Sequence, residues 1–378
     1  MPYPDQISNP LGADSFLDHL SENDFELLQQ VSKLVEELVD SLDETSVKVV
    51  RSPLSSRRLI SVAVDGGNQL IFPQFREISM GMIRVSAFSP DFKDQPETIT
   101  HVIKNFDLFD ILKAESDKAK NGMTAKRSEY VKRFFEKPQM QEFSRLTGII
   151  PSDLGAHIYR DIESFTNTIR SVLEWAYIVM LAEKYRDFKM LIVRDGRLEQ
   201  HGVENSFVKK LREYFEENRT YLVGIVKTTK LLREGIPSLV IKNWTDKYCG
   251  KNPIYYRLPD KLMKYTFGFE RQWNPEIEGS FVFGNRYAGK FYANTFHTLQ
   301  SVFTFDVPSY IENDDQSLLE VVDTLYHHRS LLFDGSVSVV SEAHMRASVD
   351  TEIVKIVENE VKKAIEKRSG LKIPDMER

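Results

Sequence analysis

The sequence predicts an α/β fold: a mixed sheet flanked by helices, with a helical insertion and long terminal helices. Three observations predict it. Arg58-Leu-Ile-Ser-Val-Ala-Val-Asp65-Gly66-Gly67 and Lys189-Met-Leu-Ile-Val-Arg194-Asp195-Gly196 are apolar, β-branched runs suited to strands buried on both faces, and each ends in Asp-Gly. Residues 161–228 alternate helical and strand patterns, as the parallel portion of a sheet requires. Residues 23–44 and 341–367 carry helical periodicity near the two ends of the chain.

The first helix places Leu27, Val31, Leu34, Val35, Leu38 and Leu42 on one stripe, with Asn23 as its N-cap. That stripe either packs on the chain's own core or docks on a partner. The first strand is expected to end at Asp65, where two glycines let the chain turn sharply and let a ligand approach the backbone. Two extended runs, residues 69–75 and 78–88, suit an antiparallel meander, and this strand order begins like a ribonuclease-H-like fold. Residues 89–155, charged and punctuated by proline, read as a mostly helical insertion. A helix over 161–185 carries Glu174, a strand leads to Asp195, a charged helix covers 204–218, and a further strand leads to Lys227. Residues 232–272 are less regular; strands resume over 280–293 and 300–307, followed by helices over 317–328 and 341–367. The expected division is residues 1–50 as an amino-terminal helical segment, 51–348 as the main domain and 349–378 as a carboxyl-terminal helix.

A chain of 378 residues with 41% hydrophobic content can bury more than one simple core usually holds. No apolar run approaches the roughly 18 residues of a membrane span, and Met1-Pro-Tyr-Pro-Asp lacks the regions of a signal peptide, so a cytoplasmic protein is expected. The single cysteine, Cys249, excludes an intramolecular disulfide framework and any multi-thiolate zinc site. A net charge of −6 argues against indiscriminate coating of nucleic acid. Residues 118–137 nevertheless hold seven basic residues against two acids, suiting either a DNA backbone or a solvated helix face with Tyr130, Val131, Phe134 and Phe135 turned inward.

Asp-Gly after a strand is also ordinary turn chemistry. A third carboxylate makes a shared site the stronger reading of Asp65 and Asp195. The run from Val172 to Ala182 has one formal charge, Glu174, in a helix apolar nearly all round, and a buried carboxylate needs a cation or a close partner. Arg170, one turn earlier, is the ordinary candidate partner. Asp65, Glu174 and Asp195 offer only oxygen, which suits Mg²⁺ or Mn²⁺, and two such ions roughly 3.5 to 4 Å apart can drive an in-line displacement at phosphorus. His327 and His328 have no spaced partner and read as structural; His344, near the start of the closing helix, is expected to stay neutral and able to ligate.

Together these residues resemble the NurA nucleases, whose pattern is a strand ending in Asp-Gly-Ser, a helix carrying Glu and a strand ending in Asp-Gly. The family's Gly-Tyr-Pro-x-x-Leu-x-x-Ala-His signature is matched at Gly335, Ala343 and His344, with Ser336-Val337 in place of Tyr-Pro. Leu222-Val-Gly-Ile-Val-Lys227-Thr is similar to the family's strand ending in Lys-Ser or Lys-Thr, and Gly67 stands where the family has Ser. The resemblance implies a metal-dependent DNA nuclease acting as a 5′ to 3′ exonuclease on DNA ends and as a single-strand endonuclease. It implies Mn²⁺ or Mg²⁺ held by Asp65, Glu174, Asp195 and His344, with Lys227 near the phosphate. It further implies a homodimer partnered by a HerA-type hexameric ATPase in DNA end resection, repair or defence. The alternative is a catalytically silent DNA-binding or adaptor subunit of such a motor.

Overall fold

The structure, a computed structural model, describes residues 21–40, 46–50, 58–75, 79–104, 130–155, 162–226, 235–249, 252–260, 262, 284–291, 302–329, 337–370 and 372–373. In chain order the elements are α1 (Glu22–Asp40), β1 (Lys48–Val49), β2 (Ile60–Ile71), β3 (Met80–Phe88), β4 (Ile99–Lys104), α2 (Pro138–Thr147), α3 (Ile162–Lys184), β5 (Met190–Asp195), α4 (Asn205–Glu217) and β6 (Tyr221–Val226). They continue as α5 (Gly235–Cys249), β7 (Ile254–Arg257), β8 (Asn285–Lys290), β9 (Val302–Val307), α6 (Ser309–Glu312), α7 (Asp315–His327), α8 (Ser338–Ala347) and α9 (Thr351–Ser369).

One nine-stranded mixed sheet organises the described residues, in the order β1-β7-β8-β9-β6-β5-β2-β3-β4. In its second half, β2, β5 and β6 run parallel, while β3 pairs antiparallel with both β2 and β4. A three-strand meander continued by two parallel strands is the ribonuclease-H-like arrangement that the strand order leads one to expect. The remaining strands, β9, β8, β7 and β1, add to β6 in antiparallel fashion.

The period of two along the strands divides the core. Val62 and Val64 of β2 and Ile192 of β5 face α3, which is buried on nearly every side because α2 and α4 cover its outer surface. Ala63 of β2 and Leu191 and Val193 of β5 face the opposite way, towards α7 and α8. Val35 and Leu38 of α1 join Val240 and Trp244 of α5 over Tyr256 and Ala288, so half of the first helix's stripe serves the chain's own core. Leu27 and Val31 of the stripe are exposed, as are Phe25 and Leu28 outside it; Leu42 lies outside the described residues.

Several local expectations are corrected. β2 does not stop at Asp65; it runs on to Ile71, with Asp65, Gly66 and Gly67 paired to Ser86, Val85 and Arg84 of β3. The glycines therefore serve close approach within a strand, and the chain reverses beyond Ile71, where Phe72 takes φ 54°. Ile99–Lys104, inside the stretch read as mostly helical, forms the edge strand β4; α5 occupies residues read as irregular; and the first 50 residues contain a strand, β1, which pairs with β7. Ser21, not Asn23, caps α1: its backbone N–H and hydroxyl each donate to Asp24 at 2.7 Å, a Ser-x-x-Asp capping box. The closing helix is two helices. Residues 348–350 break it, and Asp350 caps α9 by accepting from the Glu352 N–H at 2.9 Å.

Candidate metal centre

Parallel pairing sets Val64 opposite Arg194, which brings the next residues, Asp65 and Asp195, side by side at the carboxyl end of β5. Both follow residues of the α3 face, so both side chains share the α8 side with Ala63 and Val193. His344, in the last turn of α8, meets them there: its Nδ1 lies 2.7 Å from Asp65 Oδ2 and 3.8 Å from Asp195 Oδ2. The three side chains offer ligand atoms that all lie within 4.8 Å of one another. Gly67 makes the approach possible, because a Cβ there would stand 2.3 Å from the carbonyl oxygen of Ala347 at the end of α8. His344 therefore sits at the carboxyl end of its helix, not near the amino end, and the helix-terminus reason for a neutral ring does not apply.

Asp65 is the electrostatic centre of the group. Burial, then the neighbouring charges of Asp195 and Glu174, push its carboxyl up to about 6, against the hydrogen bond and charge of His344, which pull it down. Its Oδ1 accepts from the Gly66 N–H at 2.7 Å. Two carboxylates and an imidazole make an oxygen and nitrogen donor set that fits a hard or borderline divalent cation such as Mn²⁺.

Glu174 approaches from the other face of the sheet. A Cβ on Gly66 would lie 2.4 Å from Glu174 Oε1, so this glycine gives the helix side what Gly67 gives to α8. Only 2% exposed, Glu174 is held by two guanidinium groups: Arg194 Nη2 donates to Oε2 at 2.9 Å, and Arg170 Nε lies 3.4 Å from Oε1. Arg170 also donates to the Gly66 carbonyl at 3.0 Å. The structure thus brings Asp65, Asp195 and His344 together and sets Glu174 behind them in an ion-paired pocket.

Comparison with known proteins comes from structure alone. No protein-family model matches the chain, and no curated protein matches it. The chain is similar to solved NurA structures. The NurA nuclease from Sulfolobus solfataricus shares 11% identity over 92% of this chain and 98% of that one, with a TM-score of 0.44. A NurA structure bound to dAMP and manganese shares 11% identity over 90% of this chain and 95% of that one, TM-score 0.37. Human ENDOV shares 11% identity over 87% and 99% of the respective chains, TM-score 0.31.

Of the other expected NurA-type positions, Lys227 and Ser336 lie outside the described residues. Arg194 was missed, although its signal was visible: it immediately precedes Asp195 in a strand, and so must point to the opposite face. His328 is structural, as expected; its ring meets the Ser61 hydroxyl at 2.8 Å, and burial, His327 and Arg58 push its pKa down to about 4. Its neighbour His327 meets Arg58 at 2.8 Å. In the basic stretch, residues 130–137 turn Val131, Phe134 and Phe135 into the core, and Lys137 reaches His101 at 2.6 Å. The rest of that stretch, 118–129, lies outside the described residues. Among the described residues, no helix is long and apolar enough to cross a membrane.

Proposed function

We propose that this protein is a metal-dependent DNA nuclease. The observation that carries the proposal is the convergence of Asp65, Asp195 and His344, from two adjacent strands and a helix packed on one face of them, on one point at the carboxyl end of β5 in a ribonuclease-H-like sheet. A divalent ion bound there supplies Lewis-acid polarisation of a phosphodiester and a nucleophile at neutral pH. The chain's residues do the remaining work. Asp65 and Asp195 place negative charge where the cation must sit. His344 is tethered to Asp65 through Nδ1, which fixes the ring beside the two carboxylates on a side chain 63% exposed. Lys227, directly after β6 in sequence, neutralises a phosphate oxygen. A second ion, expected from the number of acids, would draw on Glu174, whose oxygens here face Arg194 and Arg170.

The same reading takes residues 51–348 as the nuclease domain, 1–50 as an amino-terminal helical segment and 349–378 as a carboxyl-terminal helix. By the family resemblance, its action is 5′ to 3′ on DNA ends and endonucleolytic on single strands, in a cytoplasmic homodimer working with a HerA-type ATPase in end resection or defence. A second reading, a silent adaptor of such a motor, is favoured by one observation: the exposed apolar residues Phe25, Leu27, Leu28 and Val31 on α1. The deciding experiment incubates the purified protein with end-labelled linear DNA in Mn²⁺, Mg²⁺ or EDTA, beside Asp65→Ala. Cleavage in Mn²⁺ that is abolished by EDTA and by Asp65→Ala is expected. Metal-independent cleavage, or none in any wild-type reaction, refutes the nuclease reading.

A further inference from the structure

We propose that Asp306, fixed by Arg286, is a positioning residue for the Asp195 side of the metal centre; the proposal rests on the reading of that centre given above. After Asp195 the chain must leave the sheet, and Gly196 does so with φ 121°, a value open essentially to glycine alone. The Gly196 N–H donates to the Ile225 carbonyl of β6 at 2.7 Å, and the loop then crosses the α3 face of that strand. It can cross because of Gly224, where a Cβ would lie 2.6 Å from the Gly196 oxygen and 3.0 Å from the Leu198 nitrogen. In register, Gly224 lies between Arg194 of β5 and Asp306 of β9. The loop thus lands two strands from where it started, and the Leu198 N–H donates to Asp306 Oδ2 at 3.0 Å in a buried setting.

Asp306 can serve as a fixed post because its own orientation is set. Arg286 of β8 binds it in a fork, Nε to Oδ1 at 2.6 Å and Nη2 to Oδ2 at 2.8 Å, and both side chains are almost fully buried. On the near side, Arg194 donates to the carbonyls of Arg197 and Glu199, the latter at 3.3 Å. The turn following Asp195 is therefore gripped at residues 197–199 by buried charge from two strands, and Asp306 is the grip that no site motif includes. Its acceptor oxygen, more than its charge, is what the loop uses.

The test separates the acceptor from the charge. In Arg286→Met with Asp306→Leu, both charges go and apolar side chains replace them, an exchange that commonly leaves stability unharmed. In Arg286→Met with Asp306→Asn, the charges go but an acceptor for the Leu198 N–H stays. Expected are a thermal midpoint closer to wild type in the asparagine form than in the leucine form, whose Leu198 N–H loses its buried acceptor, Mn²⁺ affinity about tenfold weaker in the leucine form, and affinity within about threefold of wild type in the asparagine form. Turnover of DNA should fall with Mn²⁺ affinity at subsaturating metal while KM for DNA holds. Equal Mn²⁺ affinity in the two forms would overturn the proposal. Hydrogen exchange at the Leu198 amide gives a readout independent of the site: slow in wild type and about tenfold or more faster in the leucine form only. Rapid exchange in wild type would overturn the proposal even if neither variant folds. A wild type that holds Leu198 slow but neither binds Mn²⁺ nor cuts DNA would sink the metal-centre reading instead.

Discussion

Asp65 and Glu174 stand on opposite faces of the same two strands, one glycine apart in the way they approach the backbone, yet they are treated in opposite ways. Glu174 is buried and neutralised by Arg194 and Arg170. Asp65 is buried beside Asp195, bonded to the His344 ring and the Gly66 N–H but, among the described residues, to no guanidinium group in the manner of Glu174, and its carboxyl is pushed up to about 6. A carboxylate satisfied by two guanidinium groups supports the fold, whereas one crowded by another acid is held ready for a cation. Raised proton affinity and a converging donor set mark the α8 side as the chemically available one. The α3 side is the brace behind it.

The largest expected effect breaks this contrast directly. Glu174→Ala leaves Arg194 buried without its carboxylate and should destabilise the protein by about 3–5 kcal/mol. Asp195→Ala relieves like-charge crowding, so its thermal midpoint in EDTA should equal or exceed that of wild type, while Mn²⁺-dependent cleavage falls by about a thousandfold. Combining Glu174→Ala with Arg194→Met should return most of the lost stability without returning cleavage. If cleavage recovers together with stability, Glu174 is only a partner for arginine and has no part in holding metal.

A smaller effect concerns the glycines that let the two faces draw close. Gly67→Ala places a methyl group 2.3 Å from the backbone oxygen of Ala347, an atom that can move only if the end of α8 moves with it. Overpacking of this kind costs about 1–3 kcal/mol. Because His344 is three residues before Ala347, the displacement should also weaken Mn²⁺ binding. A thermal melt and a Mn²⁺ titration check both expectations, and a variant that is destabilised but binds Mn²⁺ normally would show that His344 is not held by this contact.

These contacts also show what could be read from the chain. Asp65 and Asp195 were legible as strand positions because each lies at the end of a largely apolar, β-branched run followed by glycine, and a local pattern suffices to place a residue at a strand position. The ribonuclease-H-like order was legible for the same reason, since helix and strand periods alternate plainly through residues 161–228. Glu174 was legible as a buried acid, and its bond to Arg170 follows from helical spacing; strand alternation already turns Arg194 away from Asp195, but that this turns it onto Glu174 required the tertiary structure. β4 was hidden because six residues, Ile99–Lys104, sit among charged and proline-containing neighbours. The break between α8 and α9 was hidden because Ser348-Val349-Asp350 contains neither glycine nor proline; only the capping geometry of Asp350 reveals it. That break mattered most, since it moved His344 from the first turn of a long helix to the last turn of a short one.

The smallest effect is a dependence on pH in the metal-free protein. Asp65 has a pKa of about 6 when folded against an ordinary value of 3.8, so between these values the folded state binds more protons than the unfolded state. Stability must then fall as pH rises through that window and level off above it, the reverse of the usual behaviour of a paired carboxylate. The thermal midpoint of wild type in EDTA, followed from pH 4 to pH 7, should drop by about a few degrees relative to Asp65→Asn, which cannot ionise at this position. Taking the difference between the two proteins removes the contributions of groups they share, His101 and His328 among them. Mn²⁺ should cancel the difference in wild type, because a cation replaces the proton; binding should release about half a proton per ion from Asp65 at pH 6 and progressively less towards pH 7.5. Calorimetry in two buffers of different ionisation enthalpy measures that release. Parallel melting curves for wild type and Asp65→Asn across the window would mean that Asp65 is ionised throughout, and that its hydrogen bonds to His344 and the Gly66 N–H outweigh the crowding on the α8 side.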